Sequence, residues 1–173
     1  MNIRKFSMHY GAILGLTLAL IAVLMWVLAL DDQESVIPSI LNNFVTIGFL
    51  FYIISYYRDQ INHGYISYSE SLKLGTSVAF FSSVIMAFYT FMYITYLSPG
   101  MLADMLNMTE QTILQSNPEI SEKELDLALE MTAKLTQPHW LMIMGVLSGT
   151  FMGFFYSAIL SLFVKRSDPN KIA

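Results

Sequence analysis

Side chains that commonly carry catalysis are few in this sequence and lie far apart. The histidines are His9, His63 and His139, and the chain has no cysteine. Nucleophilic catalysis needs a base beside an activated hydroxyl, and the sequence contains no nucleophile-elbow, zinc-protease or phosphate-loop motif. We therefore predict no catalytic residue and no cofactor, and we interpret the histidines as residues at the edges of apolar segments.

Two groups of residues have side chains that bind metal ions in other proteins. Met101, Met105 and Met108 recur at helical spacing, and thioethers favour Cu(I). Carboxylates, which attract Ca²⁺ or Mg²⁺, cluster at Glu122, Glu124, Asp126 and Glu130. Methionine is also a flexible apolar filler, and the carboxylates lack the glycine-containing loop that spaces calcium ligands. We therefore predict no metal site.

The most individual segment is a charged turn between two apolar runs. Its candidate residues are Tyr57, Arg58, Asp59, Gly64, Ser67 and Glu70. Glycine tolerates a positive φ, and Ser67 with Glu70 has the spacing of a capping box at a helix start. Arg58 could anchor to lipid phosphates, or it could form a planar two-bond contact with a carboxylate of Asp59, Glu70 or a partner. We favour the second interpretation because two carboxylates lie nearby in sequence.

The composition indicates that these candidates belong to a membrane protein. Of the 173 residues, 55% are hydrophobic and 13% are charged, and the mean hydropathy is +0.54. Soluble domains carry about 25% charged residues, so a single soluble core of this size could not bury the excess apolar side chains. The sequence pI of about 5.2 also excludes a basic nucleic-acid-binding protein.

Four segments have the length and apolarity of transmembrane helices. A bilayer core about 30 Å thick is crossed by about 20 apolar residues of helix. The segments lie at about 12–30, 37–57, 74–97 and 140–164, and none contains Asp, Glu, Lys, Arg or His. The first is preceded by cations, as in a signal peptide, but no small-residue cleavage site follows it, so we interpret it as a retained helix. We predict an all-α polytopic membrane protein with one four-helix domain over residues 1–173.

The distribution of charge predicts how the spans are oriented. Seven of the nine Lys and Arg residues lie near the two termini or in the connection from Arg58 to Lys73. The other side carries Lys123, Lys134 and ten of the thirteen acidic residues. Because Lys and Arg near span ends are retained on the cytoplasmic side, both termini are predicted to be cytoplasmic.

Rows of small residues spaced four apart recur in three of the spans. Helices in lipid associate through close backbone approach, which small side chains permit. The rows comprise Gly11 and Gly15 in the first span, Gly75, Ala79 and Ser83 in the third, and Gly145, Gly149 and Gly153 in the fourth. We predict that they pack a single four-helix bundle. The alternative is that the row in the fourth span also forms a homodimer face.

The segment between the third and fourth spans, residues 98–138, is long enough to fold. Ser121 and Glu124 have the spacing of a capping box, which predicts an amphipathic helix from about 122 to 136. An earlier helix, over about 100–116, is separated from it by Pro118. We expect an exterior helical hairpin that either lies on the bilayer or caps the bundle.

Several of these features together resemble a known family. They are Tyr57-Arg58-Asp59, Gly64-Tyr65-Ile66-Ser67, Leu72 with Gly75, Gly11 with Gly15, the acidic exterior segment, the final apolar span and Lys165-Arg166. The chain resembles an uncharacterised bacterial membrane family, common in the Bacteroidetes, designated domain of unknown function four-one-nine-nine. The resemblance covers nearly the whole chain and implies this architecture in a bacterial inner membrane, but it implies no activity.

We predict a non-enzymatic integral membrane protein that acts by lateral helix association with a membrane partner or with itself. The alternative is a small oligomeric transporter or channel subunit. A membrane enzyme would have to use the exterior carboxylates and His139. The bilayer is the expected surrounding, and no nucleic acid is expected as a partner. A water-filled polar cavity would favour transport, whereas a dry, glycine-packed centre would favour association.

Overall fold

A computed structural model describes residues 2–28 and 36–167 of the chain. This part of the chain forms six α-helices and no β-strand, which confirms the predicted all-α fold. The helices are α1 (Ile3–Val27), α2 (Ile37–Tyr56), α3 (Tyr68–Met92), α4 (Met101–Ser116), α5 (Glu122–Leu135) and α6 (Pro138–Val164). Wider π-helical turns continue α2 over Tyr57–Ile61 and α3 over Tyr93–Leu97.

Four helices are long and apolar enough to cross a membrane, as predicted. They are α1, α2 with its π-helical turn, α3 with its π-helical turn, and α6. However, α1 and α3 begin at Ile3 and Tyr68, earlier than the predicted starts at 12 and 74. The predictions followed uncharged windows, whereas helical hydrogen bonding continues through polar residues. Asn2 caps α1, since its Oδ1 accepts a 3.1 Å bond from the backbone N–H of Arg4. The predicted end of the first span, at Leu30, lies outside the described residues.

The helices are divided between two compact units. The larger unit comprises Met1–Met86 and Gly145–Ala173, and the smaller unit comprises Ala87–Met144. The core of the larger unit lies where α1 and α3 begin and where α2 and α6 end, and it includes Phe6, Leu50, Ile53, Ile54, Leu74 and Val164. The first half of α2 is mostly exposed and contributes only the partly buried Val45 to the edge of this core, whereas its Phe44 is 77% exposed.

Gly11 and Gly15 bring α1 against the backbone of α3. A Cβ atom on Gly11 would lie 2.7 Å from the carbonyl oxygen of Val78, and one on Gly15 would lie 2.9 Å from that of Ser82. These separations are shorter than real Cβ contacts. Any larger residue at either position would therefore force the two helices apart.

The smaller unit contains α4 and α5, which contact each other. Their bounds agree with the predicted helices over about 100–116 and 122–136. The predicted capping box is present at the start of α5: Glu124 N–H donates to Ser121 Oγ at 3.4 Å, and Ser121 N–H donates to Glu124 Oε2 at 3.2 Å. The hydrogen bonds to Glu124 hold the pKa of its carboxyl below the ordinary value. The arrangement of α4 and α5 as an exterior hairpin remains a prediction.

Candidate functional site

The charged turn between α2 and α3 is built around a change of helical pitch. The π-helical turn ends with Asn62 N–H donating to the carbonyl of Tyr57 at 3.0 Å, and Gly64 N–H donates to the carbonyl of Arg58 at 2.8 Å. Gly64 has the predicted positive φ, at 88°. His63 also has a positive φ, 54°, which the sequence did not indicate. The turn therefore reverses the chain over two successive left-handed residues.

Arg58 makes the planar two-bond contact that we favoured, and its partner is Asp59. Arg58 Nε lies 2.6 Å from Asp59 Oδ1, and Arg58 Nη2 lies 2.8 Å from Asp59 Oδ2. The remaining arm, Nη1, donates to the backbone carbonyl of Val164 at 3.0 Å. This second contact satisfies one of the carbonyls that a helix leaves unbonded at its C-terminal end, here the end of α6. Nothing in the spacing of the sequence pointed to Val164.

A pair of backbone hydrogen bonds joins the same two regions. Ile66 N–H donates to the carbonyl of Arg166 at 3.0 Å, and Arg166 N–H donates to that of Ile66 at 2.9 Å. Glu70 N–H donates to Ser67 Oγ at 3.2 Å, and Ser67 N–H donates to Glu70 Oε2 at 3.1 Å, so the capping box is in place. The start of α3 and the end of α6 are therefore held together at the charged turn.

From this point α3 and α6 run antiparallel along a small-residue seam, which we define as Ser71, Gly75, Ala79 and Ser83 of α3 with Ser161, Ser157, Gly153 and Gly149 of α6. Ser161 Oγ donates to Ser71 Oγ at 2.8 Å. A Cβ on Gly149 would lie 2.8 Å from that of Ser83, and Gly75 and Gly153 are in similarly close contact with Ser157 and Ala79. Each step of four residues forward along α3 is matched by four residues backward along α6. The register that begins at Ile66 and Arg166 therefore continues through the seam.

The rows predicted from the sequence contain only part of this seam. Ser71, Ser157 and Ser161 continue the rows at the same four-residue spacing, and that spacing could have revealed them. Gly145, in contrast, has no atom of another helix within 4 Å of a Cβ built on it, among residues 2–28 and 36–167. The seam therefore ends at Gly149, and Gly145 lies beyond it.

A cavity of about 250 Å³ lies beside the end of the seam, within the larger unit. Its polar lining residues are Asn43, Thr46, Ser82, Ser83, Ser148 and Tyr156, and its apolar lining includes Leu14, Leu18, Met86 and Met152. Gly145, Gly149 and Gly153 form part of the wall. The lining therefore comes from α1, α2, α3 and α6, and all of its polar groups are neutral hydroxyls or an amide.

Most of the polar groups around the cavity are hydrogen-bonded to each other or to helix backbone. Tyr156 Oη donates to Asn43 Oδ1 at 2.6 Å, which joins α6 to α2. Thr46 Oγ1 donates to the carbonyl of Asn42 at 2.7 Å. Ser82, which also lines the cavity, is buried. The Oδ1 atom of Asn42, the residue before Asn43, is buried and unpaired within the described part of the chain. Most of the hydrogen-bonding capacity of the lining is thus used within the protein.

These features define a class of protein: an all-α polytopic membrane protein whose helices meet along small residues and line a neutral, partly polar, open-sided cavity. The chain belongs to the family described as protein of unknown function (DUF4199), whose model matches residues 9–166. The family resemblance drawn from the sequence is therefore confirmed, and the match includes the charged turn, the seam and the cavity. No curated protein and no solved structure matches the chain.

Proposed function

We propose that this is a non-enzymatic membrane protein that acts by lateral association, receiving a transmembrane helix of a partner protein or of a second copy beside the cavity. The receiving surface consists of the exposed part of α2 around Asn43 and of the face of α6 that carries Gly145, Ser148 and Met152. Hydrogen-bonding side chains and small residues are what helices use to associate in lipid. This surface offers both: Asn43 on α2 is exposed, and Gly145 on α6 carries no side chain.

The observation that carries the proposal is the difference between Gly145 and the next glycines of its row. Gly149 and Gly153 are in close contact with Ser83 and Ala79 of the same chain, whereas a Cβ on Gly145 would have no neighbour within 4 Å from another helix in the described part of the chain. Internal packing therefore accounts for two of the three glycines. A helix approaching α6 from outside would account for the third, because a glycine permits close approach of another backbone.

The experiment fills the open position without disturbing the seam. Gly145→Leu meets no internal neighbour, so the fold should be retained, but the added side chain would occupy the receiving surface. We expect this variant to lose co-purifying membrane partner, or self-association, in mild detergent and in native-membrane nanodiscs. Leu147→Ala is the control, because Leu147 lies on the same helix and is 61% exposed.

Native mass measurement distinguishes the two kinds of association. A complex that contains only multiples of the 19.6 kDa chain identifies self-association, and an additional chain identifies a partner. A wild-type protein that is monomeric and alone in native membranes would refute the proposal. So would a Gly145→Leu variant that keeps its complex.

A second candidate function is that of a small oligomeric transporter or channel subunit. The neutral polar lining of the cavity favours it, because a neutral polar solute could form hydrogen bonds with such hydroxyl and amide groups. The chain has no natural cysteine, so Ser82→Cys introduces a single thiol. Rapid reaction of this thiol with a membrane-impermeant, water-soluble reagent would indicate a hydrated cavity and favour transport. Protection of the thiol would favour the association proposal.

We also propose how the protein is oriented and in which membrane it lies. We place both termini and the charged turn in the cytoplasm and the protein in a bacterial inner membrane, with α4 and α5 as a hairpin on the exterior side. The distribution of Lys and Arg supports this orientation, because seven of the nine lie on the side assigned to the cytoplasm.

A further inference from the structure

We propose that α5 lies flat on the bilayer surface, with Leu127, Met131 and Leu135 inserted among the lipid headgroups and upper acyl chains. This inference does not depend on lateral association, because it concerns a surface of the smaller unit. It identifies a lipid surface as the ligand of that face. It also decides between the two positions that the sequence left open for α5.

One side of α5 carries a row of exposed apolar side chains. Leu127 and Met131 are each 58% exposed and Leu135 is 54% exposed. These residues are spaced four apart, so they form one row along the helix. Three large apolar side chains in a continuous row on a short helix are an unusual surface to leave in water, because burying apolar surface stabilises a protein.

Contact with the rest of the smaller unit covers only part of the apolar face of α5. Leu125, Ala128 and Leu129 are half-buried, and α5 contacts α4. At about 100° per residue, Leu135, Met131 and Leu127 lie about 20°, 60° and 100° beyond Ala128, on one side of this half-buried sector. The apolar arc of α5 is therefore wider than the part covered within the protein, and the exposed row is its uncovered margin.

The face of α5 beyond Leu127 is charged. Lys123, Asp126, Glu130 and Lys134 are exposed, and Lys134 Nζ lies 2.8 Å from Glu130 Oε1. The hydrogen bond from Lys134 lowers the pKa of the Glu130 carboxyl, so this carboxyl stays ionised at neutral pH. A helix with an exposed apolar row beside a charged face is amphipathic in the way that is typical of helices lying in the plane of a membrane interface.

Chain connectivity places this row at the right depth. Leu135 is three residues from Pro138, where the α6 span begins, so the two lie within about 10 Å of each other even in an extended chain. Trp140 and Tyr96, at the adjacent ends of α6 and of the span that includes α3, are exposed aromatic residues of the kind that occupy headgroup depth. The C-terminal end of α5 is thus held close to the interface.

The charge of α5 indicates which kind of lipid is sufficient for insertion of the apolar row. The helix carries four acidic residues and two lysines: Glu122, Glu124, Asp126 and Glu130 with Lys123 and Lys134. Such a helix gains nothing from anionic lipid, so insertion should depend on the apolar row alone. We therefore expect the contact to form on zwitterionic phosphatidylcholine.

Tryptophan fluorescence in the full chain tests this inference. The natural tryptophans, Trp26 and Trp140, are replaced by phenylalanine, and one new tryptophan is introduced as Met131→Trp or, as the matched control, Asp126→Trp on the polar side. Both proteins are reconstituted into phosphatidylcholine vesicles with or without bromine high on the acyl chains. We expect the Met131→Trp protein to lose most of its emission in brominated vesicles, and the Asp126→Trp protein to keep its emission but be quenched by aqueous acrylamide.

Two results would overturn the inference. Quenching of Met131→Trp by acrylamide and not by brominated lipid would place the row in water. Protection from both quenchers would mean that protein covers the row, as in a cap over the bundle or a docked partner. If Met131→Trp lowers the helix content measured by circular dichroism, Leu127→Trp gives the same test from the same row. Loss of association in Gly145→Leu would leave these results unchanged, so failures of the two proposals can be told apart.

Discussion

At the scale of single residues, Arg58 shows how one side chain can join two distant parts of the chain. Its side chain is 13% exposed, and its guanidinium uses three nitrogens on two different partners. The fork fixes the side chain on Asp59, and the fixed side chain then presents Nη1 to the Val164 carbonyl. A lysine ammonium has no planar fork and cannot hold both contacts in this geometry.

We therefore expect Arg58→Lys to lower the stability of the protein. Loss of the bond to the Val164 carbonyl should cost about 1 kcal/mol, and Arg58→Ala should cost more because it leaves that carbonyl unpaired. Thermal unfolding in detergent measures the effect. Arg166→Lys is the matched control: Arg166 is exposed and holds Ile66 through its backbone, so the exchange should change little. Equal stability of Arg58→Lys and wild type would mean that Arg58 acts only as an interface anchor.

The Ser121–Glu124 capping box predicts a pH dependence of α5. Because hydrogen bonds from Ser121 lower the pKa of the Glu124 carboxyl in the folded helix, the helix is stabilised above the ordinary carboxyl pKa. That stabilisation is lost as the pH falls through the lowered folded pKa. We expect the protection of the amides at the start of α5 from hydrogen exchange, measured relative to the intrinsic exchange rate at each pH, to fall in acid. Glu124→Gln should weaken this dependence, leaving the smaller change due to Glu130 and Lys134. Unchanged pH dependence in Glu124→Gln would contradict the assignment.

At the scale of elements, the contact between α3 and α6 depends on residues that have almost no side chain. The seam has one small residue from each helix at every level, so the backbones approach more closely than larger side chains would allow. Lipid chains are as apolar as the outward-facing leucines and phenylalanines, so those large residues do not select a partner helix. The glycines, alanine and serines of the seam do.

We predict that Gly153→Ala destabilises the protein by about 1–3 kcal/mol, because its methyl group would overlap Ala79 and overpack the seam. Gly48→Ala is the matched control on α2, where no atom lies within 4 Å of the added carbon. Since alanine has the higher helix propensity, Gly48→Ala should leave stability unchanged or raise it. Detergent unfolding curves of the two variants test the comparison. Equal destabilisation would show that backbone flexibility, and not the seam, is responsible.

At the scale of the whole molecule, charge and packing are concentrated at the same end of the larger unit. The buried core, the charged turn and the bonds to Val164 and Arg166 all lie where α2 and α6 end. Beyond the seam, the first half of α2 is exposed and the cavity begins. The unit is thus firmly closed at the end proposed to be cytoplasmic and less densely packed farther from it.

Single-cysteine labelling tests the orientation of the whole chain. Ser69 lies at the start of α3 and Ser116 at the end of α4, and both are exposed. With no natural cysteine to interfere, Ser116→Cys in intact cells should react with an impermeant reagent, and Ser69→Cys should react only after lysis. The reverse pattern would show that the protein is inserted with its termini outside.

The sequence alone determined the features that depend on near neighbours in the chain. The four spans follow from local hydropathy, α4 and α5 from helical periodicity, and the capping boxes from residues three apart. The family also followed from sequence, because its motifs lie in short contiguous segments such as Tyr57-Arg58-Asp59. These features need no knowledge of which helix packs against which.

Only the tertiary structure decided how the spans use their small residues and where Arg58 reaches. Rows spaced four apart look alike at every register, so sequence could not pair Gly149 with Ser83 or leave Gly145 unpaired. The contact of Arg58 with Val164 joins residues 106 positions apart, and the cavity takes its walls from four helices. Such features depend on the simultaneous placement of several helices, which is decided by close packing over the whole bundle and not by any one segment.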